Sequence, residues 1–302
     1  MQFLYFLESI RTPVLNELML LITQLGEETA FLVAALILFW CVDKKRGYYI
    51  LSVGFFGTIT NQFMKLWFRI PRPWVLDENF KILEQAREAA TGYSFPSGHT
   101  QSAVGTFGGI AYTTKNKWLC VAAITVAVLV PFSRMYVGVH TPLDVSVAIL
   151  MAVAFIFLLK PIVYGKDGKN IALLLCVMIV LTVAFLCFVE FYSFPQDVDA
   201  HNLASGQKNA YTLLGALSGL IVVYIVDSKW LNFSEKAVWW AQIVKVLVGL
   251  LLVLAVKSGL KTPLNALLGE SAGRALRYFF TVLTAGILWP LAFKYFPKTK
   301  AR

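Results

Sequence analysis

Apolar runs long enough to cross a bilayer recur along nearly the whole of this sequence, and no other feature constrains its fold so tightly. Scanning for them gives about nine candidates. They run from Gly26 to Val42, Tyr48 to Phe68, Thr100 to Thr113, Trp118 to Phe132 and Pro142 to Val163, then from Ile171 to Phe191, Ala210 to Val226, Ala237 to Val256 and Ala275 to Phe293. A backbone in hydrocarbon must satisfy its own N–H and C=O groups, which leaves helices or closed barrels. Runs of this length exclude a barrel, whose segments would be shorter and would alternate. The expected fold class is therefore all-α, a polytopic membrane helix bundle. Composition agrees, since 58% of the 302 residues are hydrophobic and only 15% charged, outside the range of an ordinary soluble domain.

The runs divide the chain. Leu15 to Leu25 is apolar but is cut from the first run by Gly26-Glu27-Glu28, so residues 1–25 read as an interfacial, amphipathic lead-in. Residues 26–164 form a core that carries all the chemistry described below, and residues 165–302 add further transmembrane helices. The third run is short and rich in Gly, Ser, Thr and Ala, as suits a helix packed inside a bundle.

Orientation follows from the basic residues, which are retained in cytoplasmic loops. One set of connections carries Lys44-Lys45-Arg46, Lys115, Lys117, Lys160, Lys166, Lys169, Lys229 and Lys236, and the tail adds Lys294, Lys298, Lys300 and Arg302. That side is expected to be cytoplasmic, with an outside amino terminus in a plasma or inner membrane. The net charge of +10 is then explained by topology and anionic lipid, and with no base-reading module nucleic acid is excluded as a partner. Cys41, Cys120, Cys176 and Cys187 lie in or at the edge of apolar runs, away from outer loops, and are read as packing.

Three short strings just outside these runs carry chemistry: Lys65 to Arg72-Pro73, then Pro96-Ser97-Gly98-His99, then Ser133-Arg134 followed by His140 and Asp144. Lys65, Arg72 and Arg134 are three cations, two of them guanidinium forks suited to phosphate oxygens. Cations converging on phosphoryl oxygens stabilise the charge of a transferring phosphoryl group. His99 and His140 are two of only three histidines, and two imidazoles can divide the work of attacking phosphorus and protonating the departing oxygen. Asp144 follows His140 by four residues, so on a continuous helix the two share a face and the carboxylate can orient the ring. Ser97-Gly98 offers a hydroxyl and an open backbone amide at a helix start.

Lys, six residues, Arg-Pro; Pro-Ser-Gly-His; and Ser-Arg, five residues, His, three residues, Asp together resemble the type 2 phosphatidic acid phosphatase (PAP2) superfamily. All three strings match, in order, across residues 65–144. The resemblance implies His140 as a nucleophile forming a phosphohistidine, His99 as general acid and Asp144 holding His140. It implies Lys65, Arg72, Ser97, Gly98 and Arg134 as phosphate binders, with no metal and no other cofactor. It also implies an integral-membrane hydrolase of lipid phosphates or diphosphates, such as phosphatidate, prenyl diphosphate or sphingoid phosphate, with its site on the outer face. A core followed by extra helices is similar to sphingosine-phosphate phosphatases and glucose-6-phosphatases, and the stretch from Phe132 to His140 leans toward the former. A sugar phosphatase and a non-catalytic lipid or phosphate transporter are the alternatives. The extra helices support packing or, alternatively, a homo-oligomer contact.

Four features stand outside the strings. The outer loop from Pro71 to Pro96 has Phe80, Ile82, Leu83, Ala86 and Ala89 at a spacing that predicts a short amphipathic helix lying on the membrane. Glu27 and Glu28 open the first run and suit either a cationic headgroup or the helix dipole. Lys245 lies deep in the eighth run and needs a carboxylate, carbonyls or water. Asp197, Asp199 and His201 lie in the outer connection before the seventh run, bordering the site or simply solvated.

Overall fold

The computed structural model describes residues 1–165, 169–196 and 198–298, so the loop and tail charges Lys166, Lys300 and Arg302, and Asp197, lie outside the described residues. Lys169 belongs to a described helix, but its side chain is outside the described set. Helix accounts for 80% of the protein, and no strand occurs among the described residues. The order is α1 Gln2–Ser9, α2 Pro13–Gln24, α3 Glu28–Ile37, α4 Lys44–Phe68, α5 Pro73–Leu76, α6 Gly98–Ala103, α7 Gly109–Thr113 and α8 Lys117–Tyr136. It continues with α9 Pro142–Tyr164, α10 Lys169–Phe191, α11 Ala200–Val226, α12 Trp239–Gly259 and α13 Lys261–Leu283.

Among the described residues, six helical stretches are long and apolar enough to cross a membrane, and a seventh is reached if α2 and α3 with its π-helical extension to Val42, bent by 52°, form one broken span. The about nine crossings expected from the apolar runs exceed this count. The difference lies in two places. α4 is long but carries Lys44, Lys45, Arg46, Lys65 and a polar Thr-Ile-Thr-Asn-Gln stretch, and α6 and α7, joined by a π turn at Val104–Gly108, are short.

The chain divides into two compact units. The first comprises Met1–Leu32, Tyr49–Pro161 and Ser193–Gly206. Its helices start on side-chain caps: the Thr12 hydroxyl accepts from Leu15 N–H at 3.4 Å ahead of Pro13, and Asn116 Oδ1 accepts from Trp118 and Leu119 N–H at 2.9 and 3.2 Å. α2 turns Met19 and Thr23 inward, and Met19 packs with Tyr136, Val137 and Val139 at the end of α8 and with Ala86 of the outer loop.

That loop is not the amphipathic helix its periodicity predicts. Only α5 and a single 3-10 turn at Glu84–Ala86 are helical within it. Phe80, Ile82 and Ala86 are buried as the pattern requires, but Ala89 is exposed. The physical reason is local. The Asp77 carboxylate accepts from Asn79 N–H at 3.1 Å and ends α5 in a turn. The loop is then tied down by Leu83 N–H to the Val137 carbonyl (3.0 Å) and by Arg11, which donates to the carbonyls of Lys81 and Tyr136.

The second unit comprises Val33–Tyr48, Ile162–Tyr192 and the chain from Gln207 onward. Lys44 pairs with Asp227 at 2.8 Å and lies over the Phe233 ring. Lys245 is fully buried, and carbonyls satisfy it: Nζ donates to Ser234 O (3.3 Å) and Glu235 O (3.1 Å) and sits 4.3 Å above the Phe293 ring centre. All four cysteines are free thiols, and Cys176 and Cys187 are exposed on α10, so those two are not packing residues.

Candidate active site

Each predicted site residue stands at an element boundary. Lys65 is in the last turn of α4, Arg72 precedes Pro73 of α5, Ser97 caps α6, Arg134 is in the last turn of α8 and Asp144 is in the first turn of α9. His140 is not helical. It lies in the turn joining α8 to α9, so it and Asp144 do not meet as neighbours on a continuous helix face. They meet through a cap. Thr141 N–H donates to Asp144 Oδ2 (2.7 Å) and Asp144 N–H donates to Thr141 Oγ1 (3.2 Å), a reciprocal capping box with Pro142 at the first helical position. The box turns the carboxylate back over the preceding turn and leaves Asp144 Oδ2 3.5 Å from His140 Nδ1.

Gly138 makes this turn possible. Its φ is +89°, and a Cβ there would lie 3.0 Å from both Arg11 Nη2 and Phe80, so a side chain would be strained in backbone and crowded in space.

Four elements supply the surroundings of His140. Arg72 donates from Nε to Gly92 O (3.1 Å), from Nη2 to Thr91 O (2.8 Å) and from Nη1 to Val139 O (3.0 Å), which fixes the fork with Nη1 2.9 Å from His140 Nε2. On the other side of the ring, the Ser94 hydroxyl donates to Asp144 Oδ2 at 2.6 Å and stands 3.5 Å from His140 Nδ1. Lys65 Nζ donates to the Tyr93 carbonyl, and the Tyr93 hydroxyl accepts from Asp199 N–H at 3.0 Å. Ser97 N–H donates to the Asp144 carbonyl (3.1 Å), and Asn61 Nδ2 to Pro96 O (3.2 Å), so the Pro-Ser-Gly-His turn is bound to both α9 and α4.

The remaining members face inward with donors to spare. Arg134 is fully buried; Nη1 donates to Thr23 Oγ1 at 2.6 Å, while Nε and Nη2 lack a partner among the described residues. His99 Nε2 is likewise buried without a partner among them. Arg72, Arg134, Lys65 and His99 all act electrostatically on His140. Burial holds the His140 imidazole well below its usual pKa, and these neighbouring charges push the same way. Burial likewise lowers Arg72 to about 10, against the opposing pull of Asp144. Chemically, this is a neutral imidazole beside unpaired cationic donors, a combination suited to an anion of tetrahedral oxygens.

Comparison with known proteins gives the family. A family profile described as the PAP2 superfamily matches residues 45–168, and a second, the PAP2 superfamily phosphatase transmembrane extension, matches residues 211–301. The chain is 32% identical to phosphatidylglycerophosphatase B of Bacillus subtilis, over 53% of this chain and 79% of that protein. It belongs to the PAP2 superfamily.

Other similar members are the undecaprenyl-diphosphatase of Sulfolobus acidocaldarius (34% identical, over 43% of this chain and 62% of that protein) and a probable sphingosine-1-phosphate phosphatase of Dictyostelium discoideum (29% identical, over 50% and 39%). The match therefore covers less than two thirds of the first of these relatives. No solved structure gives a significant match. The PAP2 and extension profiles, with the apolar helices, make this PAP2 member a multi-pass integral membrane protein.

Motif spacing did not point to Ser94, Thr23, Asn61 or Gly26. Ser94 sits two residues ahead of Pro96 and could have been noticed as a short polar residue in an apolar approach. Thr23 and Gly26 are invisible locally. A Cβ on Gly26 would lie 3.0 Å from His99 Cβ and from the His99 carbonyl, so the break between α2 and α3 abuts the Pro-Ser-Gly-His segment. Asp199 caps α11 through Asn202 N–H (2.7 Å), and His201 is exposed.

Proposed function

We propose that this PAP2 member is an integral-membrane, metal-independent phosphatase that hydrolyses lipid phosphates or diphosphates at the outer leaflet through a phosphohistidine. The observation that carries the reading is His140, held neutral with Nε2 beside the Arg72 fork and Nδ1 beside the Asp144–Ser94 pair. Arg72 can only donate, so Nε2 carries the lone pair that would attack phosphorus, while the opposite nitrogen lies 3.5 Å from a carboxylate.

In the first step His140 Nε2 attacks phosphorus and the bond to the leaving oxygen breaks, with His99 giving that oxygen its proton. Lys65, Arg72, Arg134, the Ser97 hydroxyl and the Gly98 amide hold the three remaining oxygens. A bound phosphate, itself anionic, favours the protonated form of His99 in the ground state. In the second step His99 takes a proton from water, which cleaves the N–P bond and releases inorganic phosphate and the free imidazole. Asp144, oriented by Ser94 and Thr141, balances the charge His140 acquires while it carries the phosphoryl group.

Lipid is favoured because α8 and α9 beside the site are long and apolar, as a bilayer requires, and the similar proteins include an undecaprenyl-diphosphatase, a phosphatidylglycerophosphatase and a probable sphingosine-1-phosphate phosphatase. An outer-face site is supported by the loop charges, which put the basic connections on the cytoplasmic side. The test is phosphate release by purified protein from phosphatidate, a prenyl diphosphate, a sphingoid phosphate and glucose 6-phosphate, for wild type and His140→Ala. Release from at least one lipid, abolished in the variant, is expected. A preference for the sugar phosphate would overturn the lipid assignment, and substantial turnover by the variant would overturn the nucleophile.

A further inference from the structure

Between α2, the Gln85–Ala89 stretch and Arg134 lies a cavity of about 280 Å³. Arg134, fully buried and with two nitrogens that lack a partner among the described residues, belongs both to this cavity and to the proposed phosphate site. Its other walls differ from that site in charge. Glu17 and Glu27 line it with Gln24, Leu20 and Leu21, and Arg134 is the sole cation among its lining residues. The Glu27 carboxylate bears electrostatically on the Arg134 guanidinium.

In-line displacement decides what this space receives. The nucleophile and the leaving oxygen lie on opposite sides of phosphorus. His140 is on the side where Arg72 is locked by the Thr91, Gly92 and Val139 carbonyls. His99, which protonates the leaving oxygen, is on the side of the helix break, packed against Gly26. Thr23, Gln24 and Glu27 flank that glycine and line the cavity. The departing alcohol therefore emerges among two carboxylates and a carboxamide, beside a short apolar wall. A second phosphate placed there would face like charge, whereas an ammonium or hydroxyl would find acceptors.

We propose that this cavity is the leaving-group subsite, and that Glu17 and Glu27 select phosphate monoesters of amino alcohols over diphosphates. The inference rests on the phosphatase reading above and deepens it to a substrate class.

Four probes with phosphate readout test it on the purified full-length protein: sphinganine 1-phosphate, phosphatidate, a prenyl diphosphate and free phosphoethanolamine. The wild type is expected to favour sphinganine 1-phosphate over the diphosphate in kcat/KM by about tenfold or more, as two screened charges allow. Glu17→Gln and Glu27→Gln keep shape and remove charge; each should shrink that ratio about threefold, and the double variant should bring it near unity. Phosphoethanolamine turned over as well as the long-chain ester would assign the chemistry to a free amino-alcohol phosphate instead of a lipid one. A wild type that prefers the diphosphate, or a ratio unmoved in the double variant, overturns the proposal. A binding arm keeps the two readings apart: a non-hydrolysable phosphonate analogue of sphinganine 1-phosphate should raise the thermal midpoint of the wild type more than that of the double variant. If no probe releases phosphate, the phosphatase reading falls and the subsite is decided by that shift alone, an equal shift refuting it.

Discussion

Arg134 and Lys245 are both fully buried cations in apolar surroundings, and the protein treats them in opposite ways. Lys245 in the second unit is answered by the Ser234 and Glu235 carbonyls and the face of Phe293, and its own carbonyl accepts from Trp289 Nε1 at 2.9 Å. Arg134 in the first unit has one bond to Thr23 and two nitrogens left over. Burying a charge is costly unless donors are matched, so a satisfied buried cation belongs to the architecture and an unsatisfied one implies an anion that completes it. Charge and burial alone would have flagged both residues. Hydrogen-bond completeness separates them.

The contrast can be broken most severely at His140, the proposed nucleophile. His140→Ala should lower phosphate release by about 10⁴-fold or more while the protein still purifies as a folded species by thermal unfolding, as removal of a covalent nucleophile does elsewhere. Next comes Arg134→Ala, expected to reduce kcat/KM by about 10²- to 10³-fold, the scale of a lost oxyanion donor, with thermal stability unchanged or raised because a poorly paired buried charge is gone. A large loss of stability with activity retained would erase the distinction drawn above.

Ser94→Ala should cost about tenfold in kcat with little change in KM, since Ser94 donates to Asp144 on the Nδ1 side of His140, away from the nitrogen proposed to attack, and Ser94→Thr should restore part of the rate. The pH profile sharpens the same point. His140 has a folded pKa held below its unfolded value, so protonation, and loss of the nucleophile, waits until the pH falls well under about 6.5. The unfolded chain takes up that proton first, so this group's contribution to stability also declines as pH falls below about 6.5 toward the folded value. The expected result is a kcat/KM that changes less than about threefold between pH 7.5 and 6 on its acid side; an acid limb centred near 7 would contradict the burial. Smallest of all in activity is Lys245→Met, expected within about twofold of wild type in turnover but less stable by about 1–2 kcal/mol, because two carbonyls lose their donor.

How far the sequence could be read follows the same division between local and distant contacts. Helix class followed from run length, and the association of Arg72, His140 and Asp144 from spacing within a stretch of fewer than about a hundred residues. The geometry behind that spacing was misjudged, since Asp144 reaches His140 as a cap and not along a helix face, although Thr-Pro-Leu-Asp is itself a legible start signal. The outer loop misled for a related reason. Phe80, Ile82 and Ala86 are apolar because they are buried, and a folded loop can bury residues at helical spacing without being a helix. Thr23 with Arg134, and Gly26 with His99, join residues far apart in the chain, and no period or motif encodes such pairs. Residues 1–25 read as a lead-in, and nothing in that reading showed that Thr23, or Glu27 just beyond it, would line the cavity beside Arg134.

The capping box at Thr141 and Asp144 has one more consequence. A single carboxylate both starts a long membrane helix and steadies the imidazole next to it, so the onset of that helix and the aim of the His140 ring are one conformational event. Fraying of the first turn would unseat the ring before any larger part of the bundle loosened. Heat, detergent or an ill-matched bilayer should therefore silence the enzyme at the threshold of α9, ahead of any melting detectable by loss of helix.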